Sequence, residues 1–119
     1  MKVFNKSKIK ICGIKEVQTL DCCIENKVDF FGLIFYKKSS RNITIESAQS
    51  LLKYNEKKKI SSVGVFVNEY LDDLIDLLKK LNFDYIQLHG NEDNQYIKSI
   101  KKKGFNIIKN ISIKTNEDL

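Results

Sequence analysis

Short, nearly continuous apolar runs alternate along this chain with stretches in which apolar residues recur every three or four positions. Phe30-Phe31-Gly32-Leu33-Ile34-Phe35 and Val63-Gly64-Val65-Phe66-Val67 are of the first kind. Runs apolar in both parities read as parallel strands covered on both faces. The pattern predicts strands over 8–12, 30–35, 63–67, 85–88 and 106–111. Between them, Leu71, Leu74, Ile75, Leu78 and Leu81 mark one face of a helix, with Asp72, Asp73, Asp76 and Lys79 on the other. Asn68 is its expected N-cap and Asn82 its expected left-handed stop. A second helix is expected after Thr44 with Ala48, Leu51 and Leu52 inward. Another should start near Asn91, with Glu92 and Asp93 in its first turn, and stop at Gly104. The first helix buries Val17, Leu20 and Ile24, and 115–118 reads as the opening of a fifth.

Five strand–helix units in 119 residues form one domain, residues 1–119, of the α/β class. Two architectures suit the pattern: an open doubly wound sheet, or part of a (β/α)8 barrel, which needs roughly 200–250 residues when complete. Length alone favours the open sheet.

Composition narrows the function classes. The formal charge of +6 comes from lysine, since Arg41 is the only arginine. The lysines are interspersed with Asp and Glu, and the triplets Lys57-Lys58-Lys59 and Lys101-Lys102-Lys103 fall near helix ends, where they suit the dipole. A nucleic-acid partner is therefore not expected. No apolar run reaches membrane-spanning length, and the first residues hold no signal-peptide core, so no membrane partner and a cytoplasmic setting are expected. Three cysteines argue against a disulfide framework. Cys22-Cys23 reads as a pair of small helix residues with Cys23 facing the core, and no zinc-type spacing accompanies it.

Chemistry concentrates where strands run out. Cys12 ends the first strand and is followed by Gly13, which lets the backbone turn and leaves room for a ligand. A thiol, unperturbed near pKa ~8.5, becomes a usable base in a modest positive field. Arg41 follows the second strand; a lone arginine among lysines suggests a need for planar, bidentate donors. Gln87 and His89 share one face at the end of the fourth strand, and His89 is the only histidine. Asp29 and Asp84 sit at the opposite strand ends, where structural roles are expected.

Three segments taken in order, Lys10-Ile11-Cys12-Gly13-Ile14, Gly32 through Arg41, and Gln87-Leu88-His89-Gly90-Asn91-Glu92, resemble phosphoribosylanthranilate isomerase, the tryptophan-pathway enzyme of the Amadori rearrangement. Val63-Gly64-Val65-Phe66-Val67-Asn68 matches that family's third strand. The resemblance runs from Lys10 through Ile113 and implies the N-terminal five βα units of a TIM barrel, an incomplete barrel. It implies that Cys12 is the general base, that Arg41 holds the anthranilate carboxylate, and that Gly13, Gln87 and His89 line the substrate pocket. The family's loop reads Phe-x-Pro-x-Ser-Pro-Arg; here Lys37 and Ser40 replace both prolines, which implies a less rigid loop. The implied reaction converts an aminoaldose phosphate into an aminoketose with an acid and a base and without metal or nucleotide cofactor. The family's acid, an aspartate after strand six, and its phosphate loops after strands seven and eight have no counterpart in these 119 residues. The resemblance thus implies an inactive chain in isolation, which self-associates or pairs with a missing C-terminal half. An alternative is a non-catalytic half-barrel remnant. A relative of indole-glycerol-phosphate synthase is a further one, which leaves the Cys-Gly after strand one unexplained.

Overall fold

The computed structural model describes residues 8–57 and 60–109. Five strands and four helices alternate: β1 (Lys10–Cys12), α1 (Val17–Glu25), β2 (Phe30–Phe35), α2 (Ile45–Asn55), β3 (Ser61–Phe66), α3 (Leu71–Lys80), β4 (Tyr85–Leu88), α4 (Asn94–Lys102) and β5 (Ile107–Lys109). All pairings are parallel, and the strand order is β1-β2-β3-β4-β5. A doubly wound sheet places its first strand in the interior and helices on both faces. Here the order is sequential, and among the described residues helices cover one face only. Phe31, Leu33, Phe35, Phe66, Ile86 and Leu88 pack with Leu20, Leu51, Leu74, Leu78 and Ile100 of the helices. The other face carries a separate cluster made of strand and loop residues: Ile34, Val63 and Val65 with Cys12, Phe30, Tyr36 and Tyr85. This is the architecture of the first five units of a barrel, with the sheet not closed; length alone points to the wrong architecture.

Alternation explains the division. Gly32, Val63 and Tyr85 share one register level with Cys12, and Ile34, Val65, Gln87 and Ile108 share the next inward-facing one. Residues of opposite parity meet the helices, where Phe35 stacks on Phe66 at 5.3 Å and Phe83 meets Phe35 edge-on at 5.9 Å. Each fully buried side chain of that layer contributes about 1.5–3 kcal/mol.

Several local expectations hold. Thr44 caps α2, its Oγ1 accepting from Ser47 N at 3.1 Å, and Ala48 and Leu51 are buried. Leu20 and Cys23 are the buried residues of α1, and burial pushes the Cys23 thiol up, with Cys22 adding to the shift. Gly104, at φ +92°, follows α4. Asp29 and Asp84 are structural. Asp29 Oδ2 accepts from Ile9 N at 2.8 Å, and Asp84 Oδ2 accepts from Ser62 N and Ser62 Oγ at 2.8 and 3.2 Å. The helix expected over 115–118, positions 58 and 59 of the first lysine triplet and positions 110 and 111 of the fifth predicted strand lie outside the described residues.

Three expectations fail, each at a loop. Asn68 does not cap α3; it stands at φ +50°, and its Oδ1 accepts from Asn91 N at 2.7 Å. The helix begins three residues later without a side-chain cap, its dipole met by Asp72 and Asp73. Asn82 does not end that helix in a left-handed turn; the chain leaves through Leu81 in extended backbone at φ −126°, which buries the leucine. Glu92 is not in the first turn of α4. Asp93 caps that helix, accepting from Tyr96 N at 2.8 Å, and Glu92 turns inward.

Candidate active site

The carboxyl ends of β1 and β2 bring three of the expected site residues together. Cys12 is half-buried at the end of β1, opposite Gly32 of β2, and its thiol lies over that glycine: a Cβ there would stand 2.9 Å from Sγ. Gly13 turns the chain at φ +82°, and both Gly13 N and Ile14 N donate to Gly32 O, at 3.0 and 3.1 Å. The space beside Gly13 is filled by Arg41, since an added Cβ would come within 2.4 Å of Arg41 Cδ. From there Arg41 Nη1 donates to the Cys12 carbonyl at 3.2 Å. The arginine is otherwise exposed, with further N–H donors on the same planar fork.

The loop that carries Arg41 holds its turn without prolines. Ser39 N donates to Tyr36 O at 2.9 Å, and Asn42 N donates to Ser39 O at 3.1 Å. Ser39 Oγ accepts from Arg41 N at 3.1 Å, and Ile43 N returns to Ile34 O at 2.9 Å. Serine hydrogen bonds thus take the part that fixed φ angles would have played.

Gln87 is 5% exposed on the inner face of β4, level with Val65 and Ile34, and its Oε1 accepts from Lys10 Nζ. Lys10 lies two residues before Cys12 on the same face of β1, so the amide and the ammonium span the inner surface below the thiol. His89 stands one residue beyond β4, exposed, its backbone N donating to Phe66 O at 2.9 Å. Leu88 points the other way and is fully buried against the helices. The alternation expected for Gln87 and Leu88 is therefore present.

Sequence reasoning missed a group on the adjoining loops. The Glu92 side chain is 1% exposed. Its Oε1 accepts from Gly90 N and from Lys109 Nζ, both at 2.9 Å, and its Oε2 accepts from Asn68 N at 2.9 Å. Burial acts to raise the Glu92 carboxyl. The Lys109 hydrogen bond, the backbone N–H donors and the Lys109 charge outweigh it and hold the group below the usual carboxylate range. Nearby, Tyr96 donates to Glu69 O at 2.7 Å, and burial, with the charges of Glu92 and Glu69, pushes its phenol up to about 12. The available signal was the glutamate two residues after Gly90, which the helix pattern absorbed. Among the described residues no three His, Cys, Asp or Glu side chains gather as metal ligands. No helix among them is long and apolar enough to cross a membrane.

Comparison with known proteins points to one family. The family described as N-(5'phosphoribosyl)anthranilate (PRA) isomerase matches residues 9–119. An N-(5'-phosphoribosyl)anthranilate isomerase of Thermoanaerobacter sp. (strain X514) is 39% identical over 112 residues, covering 94% of this chain and 53% of the relative. The crystal structure of phosphoribosyl anthranilate isomerase from Thermotoga maritima superposes with a TM-score of 0.87 at 29% identity, over 95% of this chain and 54% of that one. A further structure of phosphoribosyl anthranilate isomerase, in complex with reduced 1-(o-carboxyphenylamino)-1-deoxyribulose 5-phosphate, also gives 0.87 at 29% identity, over 95% and 57%. The chain spans about half the length of the relatives it matches. Matched by the family over residues 9–119 and superposing on its solved members, this chain belongs to the N-(5'-phosphoribosyl)anthranilate isomerase family.

Proposed function

We propose that this chain supplies the base-bearing half of an isomerase that converts N-(5-phosphoribosyl)anthranilate into 1-(2-carboxyphenylamino)-1-deoxyribulose 5-phosphate, a cytoplasmic step of tryptophan synthesis. Opening of the furanose ring breaks the C1–O bond and leaves a C1=N iminium. Cys12, as thiolate, takes the C2 proton. The C2–H electron pair becomes a C1=C2 bond, and the iminium pair returns to nitrogen. Ketonisation then delivers a proton to C1 and leaves the carbonyl at C2. Arg41 holds the anthranilate carboxylate, and Gly13, Gln87 and His89 line the pocket. The acid that protonates the departing ring oxygen belongs to the remainder of a complete barrel.

The observation that carries this reading is the hydrogen bond from Arg41 Nη1 to the Cys12 carbonyl at 3.2 Å. It puts a carboxylate-binding fork and a proton acceptor at one turn, so a substrate held by its carboxylate meets the thiol. The test fuses residues 1–119 to the strands that follow the matched region in the Thermoanaerobacter relative and follows turnover by product fluorescence. Cys12→Ser should lower kcat by about a hundredfold or more, because a hydroxyl is too weak a base near neutrality. Arg41→Lys should act mainly on KM. Turnover unaffected by Cys12→Ser overturns the assignment.

The partner reading belongs to the same proposal. Among the described residues β1 and β5 each pair on one side only, and Ile9, just before β1, and Ile11 within it are exposed. Such edges recruit further strands, from a second copy or from the other half of a barrel. Light scattering from the 119-residue chain should report self-association, and product fluorescence should report no turnover. A monomer that isomerises the substrate refutes this part.

A further inference from the structure

We propose that Glu92 is a positioning residue for His89: through one buried carboxylate it ties the ends of β3, β4 and β5 together and fixes the turn that presents the imidazole. The tie can be followed atom by atom. His89 N donates to Phe66 O at 2.9 Å. Gly90 N donates to Glu92 Oε1 at 2.9 Å, and Gly90 O accepts from Lys109 Nζ. Asn91 N donates to Asn68 Oδ1 at 2.7 Å. Asn68 is itself anchored by its N–H to Glu92 Oε2 at 2.9 Å. Three consecutive backbone N–H groups, from His89 to Asn91, are thus committed to partners on β3, on the loop after it or on Glu92. Gly90 is also clasped from the side: a Cβ there would stand 2.3 Å from Asn68 Oδ1.

Glutamate is needed because the task takes an acceptor with two oxygens and room for three donors. Burying the carboxylate of an ion pair is an expensive way to gain stability, since apolar residues of similar volume do as well or better. Its value is in registry, because the pair forms only when β5, the turn after β4 and the turn after β3 stand at one height. Glu92, Asn68 and Lys109 are not among the residues assigned to the chemistry, and the link to substrate rests on the reading of His89 as a pocket residue.

The test uses the 119-residue chain, with amide exchange read residue by residue and the imidazole signals of its single histidine as a second probe. Glu92→Gln keeps the shape but removes one acceptor oxygen and the charge. Exchange at Gly90 and Asn68 should accelerate by about tenfold or more, while Leu33 and Val63 change by no more than about twofold, and the His89 signals should shift or broaden. Asn68→Gly relieves the positive φ and removes only the side-chain acceptor, so it should release Asn91 alone while folding is retained. Acceleration spread evenly over all amides, or an unchanged Gly90, overturns the proposal. Binding of reduced 1-(o-carboxyphenylamino)-1-deoxyribulose 5-phosphate to the fused full-length barrel separates the two readings. Weakening by Glu92→Gln with unchanged Arg41 exchange supports positioning. Failure of the unsubstituted barrel to bind counts against the substrate reading and leaves the exchange result to decide the role of Glu92.

Discussion

Gly13→Ala is the substitution for which the geometry of the Cys12 turn makes the sharpest demand. Two penalties act at once. The backbone stands at φ +82°, where an L side chain costs about 1–2 kcal/mol relative to glycine. The new methyl would also fall 2.4 Å from Arg41 Cδ and 2.9 Å from its Nε and Nη1. The arginine must then swing into solvent and give up its hydrogen bond to Cys12 O, worth about 0.5–1.5 kcal/mol and toward the lower end at this exposed position. The expected total is about 1.5–2.5 kcal/mol. Urea unfolding of four proteins forms the cycle: unsubstituted, Gly13→Ala, Arg41→Ala and the double variant. In the Arg41→Ala background the clash is absent, so Gly13→Ala should cost only the backbone share, about 1–2 kcal/mol. An equal cost in both backgrounds would refute the contact between Arg41 and Gly13. A total below about 0.5 kcal/mol would refute the left-handed turn as well.

Asp84→Ala strands the N–H and hydroxyl of Ser62, which is buried, and should lower stability by about 1.5–3 kcal/mol in urea titration. Asp29→Ala, which releases one N–H at an exposed site, should cost less. The depressed Glu92 carboxyl contributes stability that is present above its ordinary value of 4.5 and lost as pH falls through its lower folded value. The stability gap between the unsubstituted chain and Glu92→Gln should therefore hold near neutrality and close only below about pH 4.5, as read from denaturant midpoints. The raised Tyr96 phenol acts in the opposite sense: its share of stability is present below its ordinary value of 10.0 and lost as pH rises through about 12. The Tyr54 phenol is also pushed up, chiefly by its hydrogen bond to Asp21, so tyrosinate absorbance should lose one late-titrating phenol in Tyr96→Phe and keep the other.

The strands were legible because their runs are apolar in both parities, and β2 and β4 fall where the pattern puts them. Leu71, Leu74 and Leu78 placed α3 for the same kind of reason, since one helical face must be covered. What sequence could not convey is which polar side chain a loop will recruit. Asn68, Asn91 and Glu92 all look like helix-start residues, and their local chemistry permits that role. Their hydrogen bonds go to a neighbouring loop or strand instead, a tertiary relation that no window along the chain contains. The candidate site divides in the same way. Cys12, Gly13 and Arg41 could be named singly from residue type and resemblance, and the glycine foretold a turn with room beside it. That Arg41 itself takes up that room, and that Lys10 reaches Gln87 across the inner face, required the register of the sheet.

The sequential strand order bears on how the chain folds as it is made. Each strand pairs with the one a single βα unit further on, Lys10 with Phe30 at one edge and Ile86 with Ile107 at the other. A doubly wound sheet makes its first strand wait for a partner that crosses over from later in the chain. Here every unit leaving the ribosome finds its neighbour already in place, and the loop to be closed stays one unit long however much chain has emerged. Synthesis at about 5–20 residues per second is slow beside the formation of a helix or a hairpin, so the sheet can grow strand by strand during translation.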